Sequence, residues 1–135
     1  MSPTTAQGWA AVATERQSDA RALSEQRAES VGAAYLAGYA IECALKAYLQ
    51  RAGIPFPKAG REGHNLRGLW HASDFQLRDL ADHAGTKGYF INCWSTDLRY
   101  ETSIPAILGS AELVAGAGQL KAWIMNQTRR RRRTR

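Results

Sequence analysis

The sequence predicts an all-α protein, because apolar residues recur at helical spacing along almost the whole chain. The one strand-like run, Tyr89-Phe90-Ile91, is too short to indicate a sheet. A chain of 135 residues that is 44% hydrophobic and 22% charged can bury one core and has the size of one domain. We therefore expect a single helical domain over residues 1–128.

The first half of the chain predicts two long helices. Thr4 or Thr5 can cap a helix that runs to about Leu23. A second helix runs from about Glu29 to Ala52, contains no proline and ends at Gly53. Because its centre is apolar nearly all round, we expect neighbours to surround it. Its many small residues favour either close core packing or a homodimer surface.

The second half predicts shorter helices. Residues 54–64 form a loop rich in Pro and Gly, and helices follow near Asn65–His71 and Ser73–Ala84, the latter ended by Gly85. We expect an irregular connection over residues 86–92 and a short helix or turn over residues 93–101. A last helix starts at Pro105 and ends near Gln127, with glycines at 109, 116 and 118 that favour a bend or break.

The net charge of +6 comes from the C-terminus alone. Six arginines lie within residues 129–135, and the other 128 residues carry 12 basic and 12 acidic side chains. We expect a disordered Arg-rich tail on a neutral body. Such a tail either has no role beyond solubility or is a phosphate-binding arm.

Several classes of protein are excluded or disfavoured. No apolar run approaches the ~18 residues of a membrane span, and the N-terminus lacks a secretory pattern. Cys43 and Cys93 indicate reduced, mostly buried thiols in a cytoplasmic protein. No zinc-site spacing, nucleophile elbow, phosphate loop or dinucleotide fingerprint occurs, so we expect no metal or cofactor.

Glu42 is the first residue that needs an explanation, since it lies in the apolar centre of the second helix with Lys46 four residues later. An ionised carboxylate is costly to bury without a partner. Two readings stay open: an ion pair on the helix surface, or a polar pocket inside the bundle.

A second cluster follows Trp94, where Arg99 precedes Tyr100. An arginine beside a tyrosine is typical of a cation that is both stacked and paired. We expect Arg99 to pair with Glu42 if this segment folds back on the second helix. The pair would then be either a buried structural lock or a contact for a ligand or RNA.

Four segments follow one another along the chain: residues 37–49 (Ala-Gly-Tyr-Ala-Ile-Glu-Cys-Ala-Leu-Lys-Ala-Tyr-Leu), Phe56-Pro57, His64-Asn65-Leu66, and Trp94 with Leu98-Arg99-Tyr100. This ordered set resembles the HEPN domain family (higher eukaryotes and prokaryotes nucleotide-binding). The resemblance implies a bundle of four or five helices that commonly forms homodimers. Many HEPN members are ribonucleases of toxin–antitoxin or phage-defence modules, and others are non-catalytic nucleotide- or partner-binding domains.

The resemblance also implies site residues. Ribonuclease members carry an Arg and, four to six residues later, a His, which Arg78 and His83 match here. The Arg would steady the phosphate and the His would help a ribose 2′-OH attack the adjacent phosphorus, without a metal. The alternative is an exposed helix face on which Arg78 pairs with Asp82.

His64 and Asn65 match the family's His-Asn/Asp-Leu element, which implies a place in a ligand or RNA site together with Glu42, Lys46, Arg99 and Tyr100. The alternative is that Asn65 caps the next helix and His64 packs beside it. The expected partners are RNA or a nucleotide, a second copy of the chain, and an antitoxin or nucleotidyltransferase.

Overall fold

A computed structural model describes residues 2–104 and 108–133, the last three by their backbone alone. The described residues form six α-helices, two short 3₁₀-helices and no strand, which confirms the all-α class. None of these helices is long and apolar enough to cross a membrane. The α-helices are α1 (Ala6–Gln26), α2 (Val31–Ala52), α3 (Gly60–Gly63), α4 (Leu66–Ala72), α5 (Thr86–Asn92) and α6 (Ser110–Arg133).

The long helices α1, α2 and α6 pack on one another, with α2 in contact with both others. Thr5 Oγ1 accepts a hydrogen bond from Gly8 N at 3.0 Å, and Gly53 ends α2 in the left-handed conformation with φ 72°. Both boundaries were predicted. Fourteen of the 22 residues of α2 are buried, which confirms a surrounded central helix.

The small residues of α2 serve packing within the chain. Ala34, Ala37 and Ala44 are fully buried in the core, so the alternative of a homodimer surface on them is wrong. Gly38 lies directly against the Trp94 indole, since a Cβ atom there would come within 2.1 Å of its ring. Absence of a side chain at this position therefore lets the 93–101 segment approach α2.

The predicted helix Ser73–Ala84 does not form. Ser73 ends α4, and Asp74 turns the chain with φ 62°. Phe75 then packs at 5.1 Å, centroid to centroid, from the Trp70 ring, and only a 3₁₀-helix (Leu77–Asp79) follows. Packing of apolar side chains onto the core outweighs helix propensity in this segment.

Residues 86–92 are the helix α5, not the irregular connection that we expected. Gly85, with φ 81°, begins this helix and does not end one. The Asp82 carboxylate accepts hydrogen bonds from Lys87 N at 2.9 Å and Gly88 N at 2.8 Å, which satisfies free amides of the first turn. The strand-like run Tyr89-Phe90-Ile91 lies inside α5, and a further helix (α3) lies in the predicted 54–64 loop.

The segment after α5 contains the expected short helix, a 3₁₀-helix over Thr96–Tyr100. The predicted start of the last helix, Pro105, lies outside the described residues. α6 is unbroken through Gly116 and Gly118 and extends six residues past the predicted end near Gln127. The backbone of residues 129–133 thus continues α6, where we had expected a disordered tail.

Candidate functional site

Glu42 and Lys46 form an ion pair inside the bundle. Each residue is only 1% exposed, and Lys46 Nζ donates to Glu42 Oε2 at 3.0 Å. The same ammonium donates to the Lys58 carbonyl at 3.2 Å and lies 4.8 Å from the centroid of the Trp9 ring. The surface ion pair is therefore the wrong reading, and a buried polar cluster the right one.

His64 completes this cluster, which we call the polar triad (Glu42, Lys46 and His64). His64 Nδ1 lies 2.9 Å from Glu42 Oε1, which accepts a hydrogen bond when Nδ1 is protonated. The imidazole is 29% exposed, so the triad reaches the surface only at this ring. Gly63 lets the 54–64 loop fold back on itself just before His64, since a Cβ atom at Gly63 would come within 2.7 Å of the Lys58 carbonyl carbon.

Three partly exposed rings lie side by side, and we call them the aromatic strip (Tyr35, Tyr39 and His64). His64 belongs to both the triad and the strip. The centroids are 5.5 Å apart for Tyr35 and Tyr39, and 5.7 Å apart for Tyr39 and His64. The buried Trp94 supports both tyrosines at 6.0 and 6.3 Å. Burial and, next, the negative charge of Glu42 raise the pKa of Tyr39, so its hydroxyl stays a neutral donor.

Arg99 lies at the end of the strip and is exposed. Its guanidinium lies 4.8 Å from the centroid of the Tyr100 ring, and Tyr100 is 74% exposed. Hydrogen bonds with Tyr100 and, next, Tyr35 raise the Arg99 pKa. The predicted Arg99–Glu42 pair is wrong, because Lys46 and His64 occupy the two oxygens of Glu42. A buried lock involving Arg99 is excluded by its exposure.

Arg99 and Tyr35 also line a cavity of about 400 Å³ at the start of α2. Two of its residues, Arg27 and Glu29, were missed in the sequence analysis. They lie in the short break between α1 and α2, and their proximity to Arg99 depends on packing between distant segments. The remaining lining residues are Val31, Gly32, Glu101 and Thr102.

The other predicted site residues lie apart from the strip. Asn65 caps α4, since its Oδ1 accepts a hydrogen bond from Gly68 N at 3.2 Å, as its structural alternative predicts. Arg78 and His83 are both exposed outside α-helices, and Arg78 lines a second cavity of about 400 Å³. In the part of the chain that the structure describes, no hydrogen bond or ion pair joins Arg78 to His83. Asp82 caps α5 and does not pair with Arg78.

The two cysteines differ in burial, and neither belongs to the triad or the strip. Cys43 is buried, and burial followed by the charge of Glu42 raises its pKa to about 12. Cys93 is exposed, so the prediction of buried thiols holds for Cys43 alone. Within residues 2–104 and 108–133, no group of three or more His, Cys, Asp or Glu side chains is placed to hold a metal ion.

The site thus offers two kinds of contact. Stackable rings and a fixed cation lie at the surface, and an imidazole is oriented by a buried carboxylate. Flat rings suit a base, and a guanidinium suits a phosphate. No protein-family model, curated protein or solved structure matches this chain.

Proposed function

We propose that this is a HEPN-like RNA- or nucleotide-interacting protein that binds bases on the aromatic strip and a phosphate at Arg99. The observation that carries the proposal is the row of side chains from Arg99, which lines one cavity together with Tyr35, through Tyr39 to His64. Stacking of a base on an aromatic ring is worth about 1–3 kcal/mol, and single-stranded RNA is commonly bound in this way.

The charge distribution indicates that residues 1–128 contribute to RNA binding mainly through base stacking. Residues 1–128 carry no net charge, so attraction of the whole body for phosphates is weak. The basic end of α6 is a separate electrostatic element, and each phosphate that it neutralises adds about 0.7 to the salt slope on single strands. Measurement of the affinity at several salt concentrations therefore separates the contribution of base stacking from that of the basic end.

A catalytic version of the proposal assigns metal-independent RNA cleavage to Arg78 and His83. It is supported by the exposure of both side chains and by the cavity beside Arg78. Arg78 would hold the phosphate while His83 accepts the proton of the ribose 2′-OH, whose oxygen attacks the adjacent phosphorus. The P–O5′ bond then breaks, the 5′-oxygen takes up a proton from His83, and a 2′,3′-cyclic phosphate remains on the other fragment. The toxin–antitoxin or phage-defence setting, and an antitoxin or nucleotidyltransferase partner, stay predictions of the family resemblance.

One experiment tests binding and cleavage together. A fluorescently labelled single-stranded RNA is titrated with the protein in EDTA, and anisotropy is followed by denaturing electrophoresis of the same samples. We expect micromolar binding that weakens about tenfold or more in Arg99→Ala and in Tyr35→Ala, because each change removes a contact of about 1–3 kcal/mol. In the catalytic version the RNA is cut, and His83→Ala leaves it intact.

The matched control for Arg99→Ala is Arg21→Ala, which removes the same charge from an exposed position on α1. Removal of residues 129–135 should lower the salt slope while binding on the strip persists. Equal weakening by the two arginine variants would reject the strip as the binding surface. Intact RNA after long incubation with wild-type protein would reject cleavage and leave the binding proposal standing.

A further inference from the structure

Two arginines that are distant in the sequence line one cavity of about 150 Å³. Arg51 lies in the last turn of α2 and Arg129 near the end of α6, and both side chains are exposed. The start of α1 forms the third wall, and its first turn has no acidic residue. We call this space the arginine cavity (lined by Arg51, Arg129 and the start of α1). The packing of three helix ends thus adds Arg51 to the basic end of α6.

The positive charge of the arginine cavity has no acidic partner within the described chain. No carboxylate is among the described residues that line it, and neither Arg51 nor Arg129 forms an ion pair with a described residue. Arg129 donates from Nη1 to Asn126 Oδ1 at 3.3 Å, and a guanidinium has five N–H donors in all. Two like charges that converge without a counter-charge favour the binding of an anion.

The size and chemistry of the arginine cavity suit a phosphate group. Its volume of about 150 Å³ is well below the ~300–1,000 Å³ of pockets that enclose a drug-sized ligand. Guanidinium groups bind phosphates through paired N–H donors, and two of them on different helices can hold one phosphate from two sides. The cavity therefore fits one phosphate of a larger molecule that lies mostly outside it.

Lys58 carries positive charge from the polar triad toward the end of α2. Its carbonyl accepts a hydrogen bond from Lys46 Nζ at 3.2 Å, and its own Nζ lies 5.8 Å from the centroid of the Phe56 ring. Lys58 and Phe56 line a cavity of about 350 Å³ together with Gln50 of α2. The Lys58 side chain is exposed and the Phe56 ring is partly exposed. A cation and a stackable ring thus lie between the triad and the end of α2.

The Phe56 ring joins this surface to the arginine cavity. Phe56 packs edge-on against Trp9 of α1, with the ring centroids 6.3 Å apart, and the next residue of α1, Ala10, lines the arginine cavity. Along α2, the 12 residues from Tyr39 of the strip to Arg51 correspond to about 18 Å. Phosphates of a stacked strand are about 3.4 Å apart, so roughly five nucleotides span this distance.

We propose that the arginine cavity is a phosphate site for the same RNA strand whose bases stack on the aromatic strip. The strand leaves the strip at His64 and passes Lys58. It then places one backbone phosphate between Arg51 and Arg129. Because the site is assigned to the strand that the strip binds, it rests on the proposed function. It makes the affinity depend on the length of the RNA and gives the basic end of α6 a defined target.

The test is a titration of the full chain with labelled single-stranded RNAs of about 4 and about 16 nucleotides, at about 50 to 200 mM salt. The longer RNA reaches both the strip and the arginine cavity, whereas the shorter one occupies the strip alone. We expect Arg51→Ala to weaken binding of the longer RNA about tenfold and to lower its salt slope by about 0.7, because one phosphate contact is lost. Binding of the shorter RNA should not change.

A double variant shows whether the two arginines hold the same phosphate. If they do, Arg51→Ala, Arg129→Ala and the double variant each lower the salt slope by about 0.7, because the same contact is lost in all three. Independent contacts would lower it by about 1.4 in the double variant and would overturn the shared site. Arg51→Ala should weaken RNAs with a 5′-hydroxyl and with a 5′-phosphate equally. A loss confined to the 5′-phosphate RNA would overturn the assignment to the backbone.

The matched control is Arg21→Ala, which removes the same charge from an exposed position on α1 outside the arginine cavity. Circular dichroism establishes that each variant is folded. An unchanged salt slope in Arg51→Ala, or an equal change in Arg21→Ala, would overturn the phosphate site. The proposed function would still stand in that case if Arg99→Ala weakened binding of both RNAs. Absence of binding by either RNA would reject the proposed function and the phosphate site together.

Discussion

The two halves of α2 differ in where their polar and charged side chains lie. In the N-terminal half, Tyr35 and Tyr39 reach the surface, and residues 31–39 include no charged side chain. In the C-terminal half, residues 40–49 are all buried, and yet two of the three charged residues of the helix, Glu42 and Lys46, lie there; the third, Arg51, is exposed in the last turn. Two charges thus lie where burial is most complete, and each of them has fixed partners.

This difference separates two roles along one helix. The buried half orients His64 through Glu42. It also holds the 54–64 loop against α2 through the hydrogen bond from Lys46 to the Lys58 carbonyl. The exposed half presents the rings that we propose as a base-binding surface. A substitution in the buried half should therefore act mainly on stability, and one in the exposed half mainly on binding.

The largest effect is expected for Glu42→Ala. Among the described residues, the change leaves the buried Lys46 ammonium with only the Lys58 carbonyl as a hydrogen-bond acceptor. Removal of one partner of a buried pair costs about 3–5 kcal/mol. Urea denaturation followed by circular dichroism measures the free energy of unfolding.

The matched control is Asp19→Ala, which breaks the exposed pair between Arg16 and Asp19 at 3.2 Å. A loss of at most about 1 kcal/mol is expected there, because exposed pairs contribute little. Similar losses in Glu42→Ala and Asp19→Ala would show that the polar triad is not a stabilising element.

The triad also shows how far the sequence predicts this site. The four-residue spacing of Glu42 and Lys46 was enough to place both side chains on one face of a helix. Participation of His64 was foreseen only through the family resemblance, because its contact with Glu42 depends on the path of the 54–64 loop. That path is set by contacts such as Gly63 against Lys58, which no local pattern encodes.

Dependence on contacts between distant segments also explains two predictions that were wrong. Arg99 was predicted to pair with Glu42 because the two charges are complementary. Complementary charge alone does not indicate which of several basic side chains contacts a buried carboxylate. The helix predicted over Ser73–Ala84 failed for a related reason, since Phe75 gains more from contact with Trp70 than from helical geometry. The long helices, the Thr5 cap of α1 and the Gly53 end of α2 were predictable because local spacing determines them.

A smaller effect is expected from pH, through Cys43 in the buried half. Burial raises the pKa of this thiol from its ordinary value of 9.0 to about 12. The folded protein therefore keeps the proton after the unfolded chain has lost it. The stability contribution is complete below pH 9 and is lost as the pH rises toward 12.

Comparison of the wild type with Cys43→Ala isolates this contribution from other groups that titrate in alkali. Between pH 9 and pH 11 the wild type should lose about 2–3 kcal/mol more than the variant, since one proton is worth about 1.4 kcal/mol per pH unit. The measurement is urea denaturation at each pH, with reducing agent present. Parallel pH profiles for the two proteins would contradict the raised pKa.

The smallest effects come from two glycines of α2, Gly32 and Gly38, which differ in what lies above them. A Cβ atom at Gly32 would meet Leu23 Cδ1 and Ser30 Oγ at 3.6 Å, an ordinary contact, whereas at Gly38 it would collide with Trp94. Gly32→Ala should therefore stabilise the protein by about 0.5 kcal/mol through helix propensity. Gly38→Ala should destabilise it by about 1–2 kcal/mol, because the indole must move.

Gly38→Ala should also weaken RNA binding, because Trp94 supports Tyr35 and Tyr39 from beneath. Gly32→Ala leaves those rings in place, so the two variants separate a change in helix stability from a change in the aromatic strip. Thermal unfolding and RNA anisotropy on both proteins provide the measurement. If Gly38→Ala bound RNA as tightly as Gly32→Ala, the geometry of the strip would not determine binding, and the division of α2 into a stabilising and a binding half would fail.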